Sequence, residues 1–235
     1  MIKSFFVTGT DTDVGKTAVA AAMLVALQAQ GKTTAAIKPV AAGAQQMSVG
    51  PRNEDGLILQ RYQTAELPYE QVNPVLLQQP LSPHIAAARQ QRRLTVSQLV
   101  AYCRGMMLQP ADVLLIEGAG GWRVPINAVE TLAGLPRELN TPVILVVGMR
   151  LGCLNHAVLT AEAIRHDGLQ VVGWVANQVD PQMAEVEANI ATLRERLPGQ
   201  FMGHVPWIQA AAPTVMASYI DVAPLLESPN AGTGQ

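Results

Sequence analysis

A short stretch near the amino terminus, VTGTDTDVGKT at residues 7–17, ends in the Gly-Lys-Thr of a phosphate-binding loop. The usual pattern, Gly-x-x-x-x-Gly-Lys-Ser/Thr, has a glycine where this chain has Thr10, although Gly9 beside it can supply the permissive backbone. In such a loop the Lys16 ammonium reaches the β- and γ-phosphates of a nucleotide, and the Thr17 hydroxyl holds Mg²⁺. The alternative is an ordinary turn with a solvated Lys16, but a strand before the loop and a helix after it favour a nucleotide site.

Three other charged residues could complete a site for a nucleotide and its metal. Glu117 ends the apolar run VLLIE and is followed by Gly-Ala-Gly-Gly, which lets the backbone approach a ligand and favours metal binding over an ordinary turn acid. Lys38 closes a second apolar run, where a fixed cation would neutralise the charge that develops in phosphoryl transfer. A solvated lysine at a strand end is the alternative. Asp55, taken alone, reads as a loop or helix-capping acid.

These candidates need a framework that brings strand ends together. Short apolar runs alternate with helical patterns, and the predicted strands cover residues 4–8, 33–39, 113–117, 143–147, 171–176 and 201–205. A helix is predicted directly after the loop, over residues 16–30. This alternation predicts an α/β fold with a doubly wound, mainly parallel sheet flanked by helices. Ligands of such sheets bind beyond the carboxyl ends of the strands, where Lys16, Lys38 and Glu117 would meet.

We predict one domain over residues 1–226, followed by a frayed tail at 227–235 that is rich in Gly, Pro, Asn and Ser. Residues 41–109 lack an obvious central strand and contain several prolines, so they are predicted to form an elaborated insertion between two core strands. Within this insertion, Ser82 is predicted to be the N-cap of a helix and Pro83 its first residue.

The composition of the chain limits its possible partners. Charged residues make up 14% of the chain, the net charge is −2, and there is no extended cluster of Lys and Arg, which argues against nucleic-acid binding. The longest apolar run, residues 18–27, is about half the roughly 20 residues that a membrane-spanning helix needs. Two cysteines, Cys103 and Cys153, give no disulfide framework. We therefore expect a cytoplasmic protein with small-molecule partners.

Further motifs follow the loop in order along the chain: KPV at 38–40, RNED at 52–55, NP at 73–74, SPH at 82–84, EGAGGW at 117–122, LGCLNHA at 151–157 and GWVAN at 173–177. Together with the loop, they resemble dethiobiotin synthetase, a family with a P-loop NTPase fold. The match covers nearly the whole chain, and the combination is far more specific than any one motif. The threonine-containing loop is this family's own variant of the common pattern.

The resemblance implies an ATP- and Mg²⁺-dependent ligase of biotin biosynthesis. Such an enzyme joins 7,8-diaminopelargonate and CO₂ into dethiobiotin and releases ADP and phosphate. One amine adds to CO₂ to give a carbamate, a carbamate oxygen takes the γ-phosphoryl group, and the second amine then closes the cyclic urea. The resemblance also implies a homodimer whose substrate site lies at the subunit interface.

The resemblance assigns roles to individual residues by their place in the motifs. Lys16 and Lys38 are the implied catalytic residues, and the implied Mg²⁺ ligands are Thr17, Asp55 and Glu117. The implied nucleotide contacts are Thr12, Asp13, Val14, Gly15, Lys16, Thr17 and Asn177, with Asn177 at the adenine. The implied substrate contacts are Thr12, Lys38, Ala42, Gly152, Cys153 and Asn155, of which residues 151–155 come from the neighbouring subunit and bind the distant carboxylate.

Two positions depart from the family pattern. Ala42 stands where the family commonly has a serine, so a hydroxyl that could hydrogen-bond the carbamate or the substrate amine is missing. Asp13 replaces a common glutamate and retracts the same charge by one carbon. Ala42 keeps open a related P-loop enzyme acting on another vicinal diamine. A non-catalytic protein that uses ATP only as a switch is the second alternative.

Overall fold

The computed structural model describes residues 2–227, and its strands and helices alternate along the chain. The strands are β1 (Lys3–Gly9), β2 (Thr34–Ile37), β3 (Val40–Ala42), β4 (Gln45–Met47), β5 (Gly50–Arg52), β6 (Val75–Leu77), β7 (Val113–Glu117), β8 (Val143–Met149), β9 (Val171–Gln178) and β10 (Gln200–Val205). The helices are α1 (Lys16–Ala29), α2 (Glu54–Tyr62), α3 (Tyr69–Val72), α4 (Pro83–Arg89), α5 (Val96–Met106), α6 (Gly134–Leu139), α7 (Cys153–His166), α8 (Val186–Arg196), α9 (Pro213–Met216) and α10 (Ala223–Glu227), with a 3₁₀ turn at Ala217–Tyr219.

Six strands form the central sheet, in the spatial order β10-β9-β8-β1-β7-β2, and every neighbouring pair is parallel. All six strands predicted from the apolar runs are present in this sheet. The chain starts in the middle with β1, crosses to the edge strand β2 and returns to β7 between them, and then continues on the other side through β8, β9 and β10, which is a doubly wound arrangement. The sequence prediction of the fold class is confirmed.

The sheet is buried on both faces because helices cover each of them. Within β1, Phe6 faces one hydrophobic cluster, while Phe5 and Val7 face the other, as expected from the alternation of side chains along a strand. The first cluster contains residues of α4 to α8, and the second contains residues of α1, α2, α9 and α10. The carboxyl edge of the sheet is thereby left as the place where loops can form a site.

The insertion predicted at 41–109 folds into small elements beside the central sheet. Strand β3 pairs in parallel with β6, and β4 pairs with β5 as an antiparallel hairpin, so these four strands form two separate small sheets. Helix α4 begins at Pro83, with Ser82 at the N-cap position as predicted. The Ser82 side chain makes no capping hydrogen bond, however, so the fixed φ of Pro83 is the local feature that favours this helix start.

Two further sequence predictions concern the carboxyl-terminal region and membranes. Helix α10 ends at Glu227, and residues 228–235 of the predicted tail lie outside the described residues. Among residues 2–227, no helix combines the length and the apolar character that crossing a membrane requires.

The outer edge of β2 is protected by side chains. The Gln63 Oε1 atom accepts a hydrogen bond from the backbone N–H of Ala36 at 2.8 Å, and its Nε2 atom donates to the Ala65 carbonyl at 2.8 Å. One residue further on, the Thr64 hydroxyl accepts from the N–H of Thr34 at 2.7 Å. These bonds replace a neighbouring strand, since an open edge would leave backbone groups unpaired and available to other chains.

Replacing Gln63 with methionine keeps most of the side-chain volume but removes the amide. We expect Gln63→Met to lower the free energy of unfolding by about 1–3 kcal/mol, because the buried N–H of Ala36 loses its acceptor. Urea denaturation measures the change. The control is Gln170→Met at an exposed position, for which a change within about 0.5 kcal/mol is expected. Equal effects of the two substitutions would contradict the role of Gln63.

Candidate functional site

The phosphate loop connects the end of β1 to the start of α1 and contains two residues with left-handed backbone. These are Asp13, with φ 56°, and Gly15, with φ 80°. A side chain at position 15 would also collide with Asn177, because a Cβ there would lie 2.3 Å from Asn177 Nδ2. Backbone of this kind, directly before a helix N-terminus, can turn N–H groups toward a bound anion.

Contacts with neighbouring strands hold the loop in place. Thr10, at the position where the common pattern has glycine, accepts a hydrogen bond from the N–H of Gly148 in β8 at 3.3 Å. Asn177, from β9, donates to the Val14 carbonyl at 2.9 Å. The Val14 side chain is fully buried, and a methyl group on Gly9 or Gly148 would collide with it. The Val14 side chain is therefore part of the core and not available to a nucleotide.

Two residues from adjacent strand ends, Lys38 and Glu117, converge beside the loop with Thr17 from the first turn of α1 and Asp55 from the insertion. Strand β7 lies between β1 and β2, so its last residue, Glu117, is next to both the loop and Lys38. Lys38 Nζ lies 2.5 Å from Glu117 Oε1 and 2.8 Å from Asp55 Oδ2, and it donates to the Gly118 carbonyl at 3.0 Å. The Thr17 hydroxyl donates to Glu117 Oε1 at 2.7 Å.

Burial and charge together set the protonation of this cluster. Burial by itself would lower the pKa of Lys38, but attraction to Glu117 and Asp55 outweighs it and raises that pKa. Burial would raise the pKa of Asp55, yet its attraction to Lys38 and hydrogen bonds from Lys38 and Thr17 lower it. Burial dominates at the fully enclosed Glu117, whose pKa is raised despite the nearby ammonium. Lys38 is therefore a fixed cation in the free protein.

Lys16 differs from Lys38 because no carboxylate within residues 2–227 forms an ion pair with it. Its Nζ atom donates to the Asp11 backbone carbonyl at 2.9 Å. Burial, followed by repulsion from Lys38, lowers its pKa from 10.5 to about 8. A bound anion would attract the Lys16 ammonium and so oppose both the burial and the repulsion that lower this pKa. This behaviour suits a phosphate-binding lysine.

The cluster has the chemistry of a magnesium site. Glu117 Oε2 is buried and has no hydrogen-bond partner within residues 2–227, so an acceptor atom is directed at a position that a cation or water can fill. Two carboxylates and the Thr17 hydroxyl are hard oxygen donors, and Mg²⁺ usually takes one or two carboxylates together with phosphate oxygens and water. The described part of the chain contains no group of three or more His, Cys, Asp and Glu suited to a metal, so such a site would depend on the nucleotide.

The other predicted substrate residues belong to three elements: the loop, β3 and the start of α7. Thr12 is exposed in the loop, and Ala42 ends β3, where its carbonyl accepts a hydrogen bond from Asn53 Nδ2 at 3.1 Å. Gly152, Cys153 and Asn155 lie at the start of α7, where Cys153 is buried and Asn155 is exposed. Within residues 2–227, no hydrogen bond or ion pair joins these three residues to the Lys38 cluster.

Several contacts around the site were not predicted from the sequence. Arg150 donates to the Asp11 carboxylate at 2.5 Å and so ties the loop to the segment before α7. The indole of Trp122, after the glycines that follow β7, donates to Asp167 at 2.8 Å. Arg150 lies three residues after the strand predicted at 143–147, and that nearness to a strand end was the one available signal. No comparable signal pointed to Asp11 or Asp167 as a partner.

The lowered pKa of Lys16 makes the stability of the metal-free, ligand-free protein depend on pH. Between about pH 8 and 10.5 the unfolded chain binds more protons at this lysine than the folded chain, so wild-type stability gains with rising pH. We expect Lys16→Met to melt at a higher temperature than wild type at pH 7 in EDTA, with the difference shrinking toward pH 10. Lys32→Met, outside the site, is the control, and a Lys16→Met difference that does not change with pH would contradict the assignment.

Comparisons with known proteins agree with this architecture. A family model described as an AAA domain matches residues 3–214. The septum site-determining protein MinD from Pyrococcus horikoshii OT3, solved with Mg-ADP, aligns with 97% of this chain and 90% of its own at a TM-score of 0.54 and 16% identity. The signal recognition particle receptor FtsY from Elizabethkingia anophelis aligns at 0.54 and 15% identity; the alignment covers 93% of this chain but only 65% of FtsY. These likenesses show a P-loop NTPase fold.

Sequence relatives are much closer. The "ATP-dependent dethiobiotin synthetase BioD" of Cellvibrio japonicus is 51% identical over 226 residues, which cover 96% of this chain and 99% of that protein. The protein of the same name from Marinobacter nauticus is 49% identical over 230 residues, covering 96% and 98% of the two chains. Because about half of the residues are identical over nearly the full length of both proteins, the chain belongs to the ATP-dependent dethiobiotin synthetase family.

Proposed function

We propose that this chain carboxylates 7,8-diaminopelargonate with CO₂ and closes the product to dethiobiotin, at the expense of ATP. The names of its relatives support this reaction. The observation that carries the proposal is the buried Lys38, held between Glu117 and Asp55 beside a phosphate loop. We propose further that residues 1–226 act as one domain, in which the insertion at 41–109 supplies Asp55.

In the proposed complex the loop binds the phosphates of ATP and Asn177 contacts the adenine. Backbone N–H groups of residues 12–17 surround the phosphates, and Lys16 leaves the Asp11 carbonyl to reach the β- and γ-phosphates. Thr17, Asp55 and Glu117 would hold Mg²⁺, which supplies charge neutralisation at the phosphate oxygens when bound. The orphan Oε2 atom of Glu117 supports this assignment.

The reaction that we propose has three steps. One amine nitrogen of the substrate bonds to the carbon of CO₂ and loses a proton, which gives a carbamate. A carbamate oxygen then attacks the γ-phosphorus, and the bond to ADP breaks. Finally the second amine attacks the carbamate carbon and loses a proton, the C–O bond to phosphate breaks, and the cyclic urea and inorganic phosphate remain. Two anions must meet in the second step, so fixed cations between them are required.

Lys38 is suited to stand between these anions. In the free protein its ammonium is neutralised by Glu117 and Asp55. If Glu117 and Asp55 hold Mg²⁺, the Lys38 ammonium would be available to the carbamate oxygen and the γ-phosphoryl group at its place beside the loop. The positive charge is thus in place before the reaction begins, which is the condition for electrostatic stabilisation of a transition state.

We propose a homodimer in which residues 151–155 of one subunit bind the distant carboxylate of the substrate held by the other. Two apolar side chains support a covering partner at this surface: Leu151 is 97% exposed and Leu159, on α7, is 56% exposed. Gly152 and the exposed Asn155 lie between them, at the helix N-terminus. Cys103 and Cys153 are both free and buried, which is consistent with the cytoplasmic location that we propose.

The missing hydroxyl at Ala42 supports a second candidate function. In this alternative the protein carries out the same ATP-dependent carboxylation and ring closure on another vicinal diamine. Phosphate release from Mg-ATP and bicarbonate, measured with and without 7,8-diaminopelargonate alongside mass spectrometry of the product, tests both. We expect diamine-dependent release with one dethiobiotin per phosphate. Hydrolysis that does not depend on the diamine would indicate a nucleotide switch. Turnover of a different diamine, with Ala42→Ser restoring the first, would indicate the second candidate.

Lys38 should matter for both activity and stability, and the two roles can be separated. We expect Lys38→Met to lower kcat at least about a hundredfold, and to lower the free energy of unfolding by about 3–5 kcal/mol because Glu117 loses its buried partner. The double variant Lys38→Met with Glu117→Gln should regain stability but not activity, as measured by urea denaturation and phosphate release. Full activity in either variant would contradict the role of Lys38.

A further inference from the structure

The Asn73-Pro74 motif has no role in the site as described so far. Asn73 nevertheless forms a hydrogen bond to the backbone of Lys38, a residue of that site. Asn73 is buried, and its Nδ2 atom donates to the carbonyl of Lys38 at 2.8 Å. The Lys38 N–H in turn donates to the carbonyl of Val72 at 2.7 Å. The main chain on both sides of the Lys38 side chain is therefore fixed by the end of α3.

Tyr69, at the start of α3, carries this connection to the helix that holds Asp55. Its hydroxyl donates to Asn73 Oδ1 at 3.0 Å and accepts from the N–H of Asn53 at 2.7 Å. Asn53 is the N-cap of α2, and its Oδ1 atom accepts from the N–H of Asp55 at 3.0 Å. This series of hydrogen bonds returns to Lys38, because the Asp55 carboxylate lies 2.8 Å from Lys38 Nζ.

Close packing around Tyr69 restricts movement of the side chain that links Asn73 to Asn53. Tyr69 is 5% exposed, and the Arg52 guanidinium lies 4.4 Å from the centre of its ring. A Cβ atom on Gly56 in α2 would lie only 3.0–3.1 Å from atoms of Tyr69 and Asn73. The absence of a side chain at Gly56 thus lets α2 pack directly against the tyrosine.

We infer that Tyr69 and Asn73 are positioning residues, which set the distance between Asp55 and the Lys38 ammonium for phosphoryl transfer. The inference rests on the proposed function. Neither residue needs to touch a substrate, since the hydroxyl and the amide together link the backbone of Lys38 to the first turn of α2. Displacements of about 1 Å in such a cluster can lower a rate by as much as a hundredfold, so a linkage of this kind has a measurable effect.

The test is Tyr69→Phe, which removes one oxygen atom and leaves Asn53 and Asn73 without their shared partner. We expect kcat for diamine-dependent phosphate release to fall about tenfold or more, and the half-saturating Mg²⁺ concentration to rise. The matched control is Tyr62→Phe at the end of the neighbouring helix α2, where the tyrosine hydroxyl has no hydrogen bond within residues 2–227. Both quantities should stay within about twofold of wild type in the control.

A double-mutant cycle with Asp55→Asn separates positioning from a general loss of stability. If Tyr69 acts through Asp55, Tyr69→Phe should lower kcat less than about twofold in the Asp55→Asn background. A Tyr69→Phe substitution that lowers kcat by the same factor in the Asp55→Asn background as in wild type would overturn the inference. So would a Tyr69→Phe variant with a lower melting temperature but an unchanged kcat and Mg²⁺ requirement.

Failure of the proposed function can be told apart from failure of this inference. A wild-type protein without diamine-dependent phosphate release would contradict the proposed function. Calorimetry of ADP binding at several Mg²⁺ concentrations then tests the positioning role alone. The inference would be supported if ADP binding depended less on the Mg²⁺ concentration in Tyr69→Phe than in wild type, while Tyr62→Phe behaved as wild type. Identical behaviour of the two variants would overturn it.

Discussion

A buried ammonium group needs a counter-charge, and Lys38 imposes this requirement on the structure around it. The Lys38 side chain is 4% exposed and that of Glu117 is fully enclosed, so removing Lys38 would leave the Glu117 carboxylate without its counter-charge in the core. The requirement links three parts of the chain: the end of β2, the end of β7, and the first turn of α2 with Asp55. The same cluster provides a cation, two carboxylates and a hydroxyl next to the phosphate loop.

Much of the fold could be predicted from local patterns because the central strands are continuous apolar runs buried on both faces. All six were found in the sequence, and their alternation with helices gave the correct parallel, doubly wound sheet. The insertion was harder to predict. Its strands have three residues each, and β3 pairs with β6 more than thirty residues away, so neither periodicity nor turn chemistry identifies them.

The residues of the site also differ in whether they could be predicted from the sequence. Lys16, Lys38 and Glu117 could be placed together from topology, since each follows a strand that ends at one edge of the sheet. Asp55 gained a role only from the family resemblance, and the structure brings it to Lys38. Tyr69 was not predicted at all, because its part depends on how the insertion packs against α2. Sequence patterns of single elements contain no information about such packing.

We propose that Thr17, Asp55 and Glu117 would hold Mg²⁺ and that Lys38 would then pair with the substrate anions instead of the carboxylates, and this is the central claim. A crystal structure with Mn²⁺, a non-hydrolysable ATP analogue and the diamine would test this claim most directly, with the anomalous signal locating the metal. The account predicts Mn²⁺ bound by Thr17, Asp55 and Glu117, directly or through a water molecule, and Lys38 Nζ next to the γ-phosphate. A metal remote from both carboxylates, with Lys38 still paired to Glu117, would contradict the account.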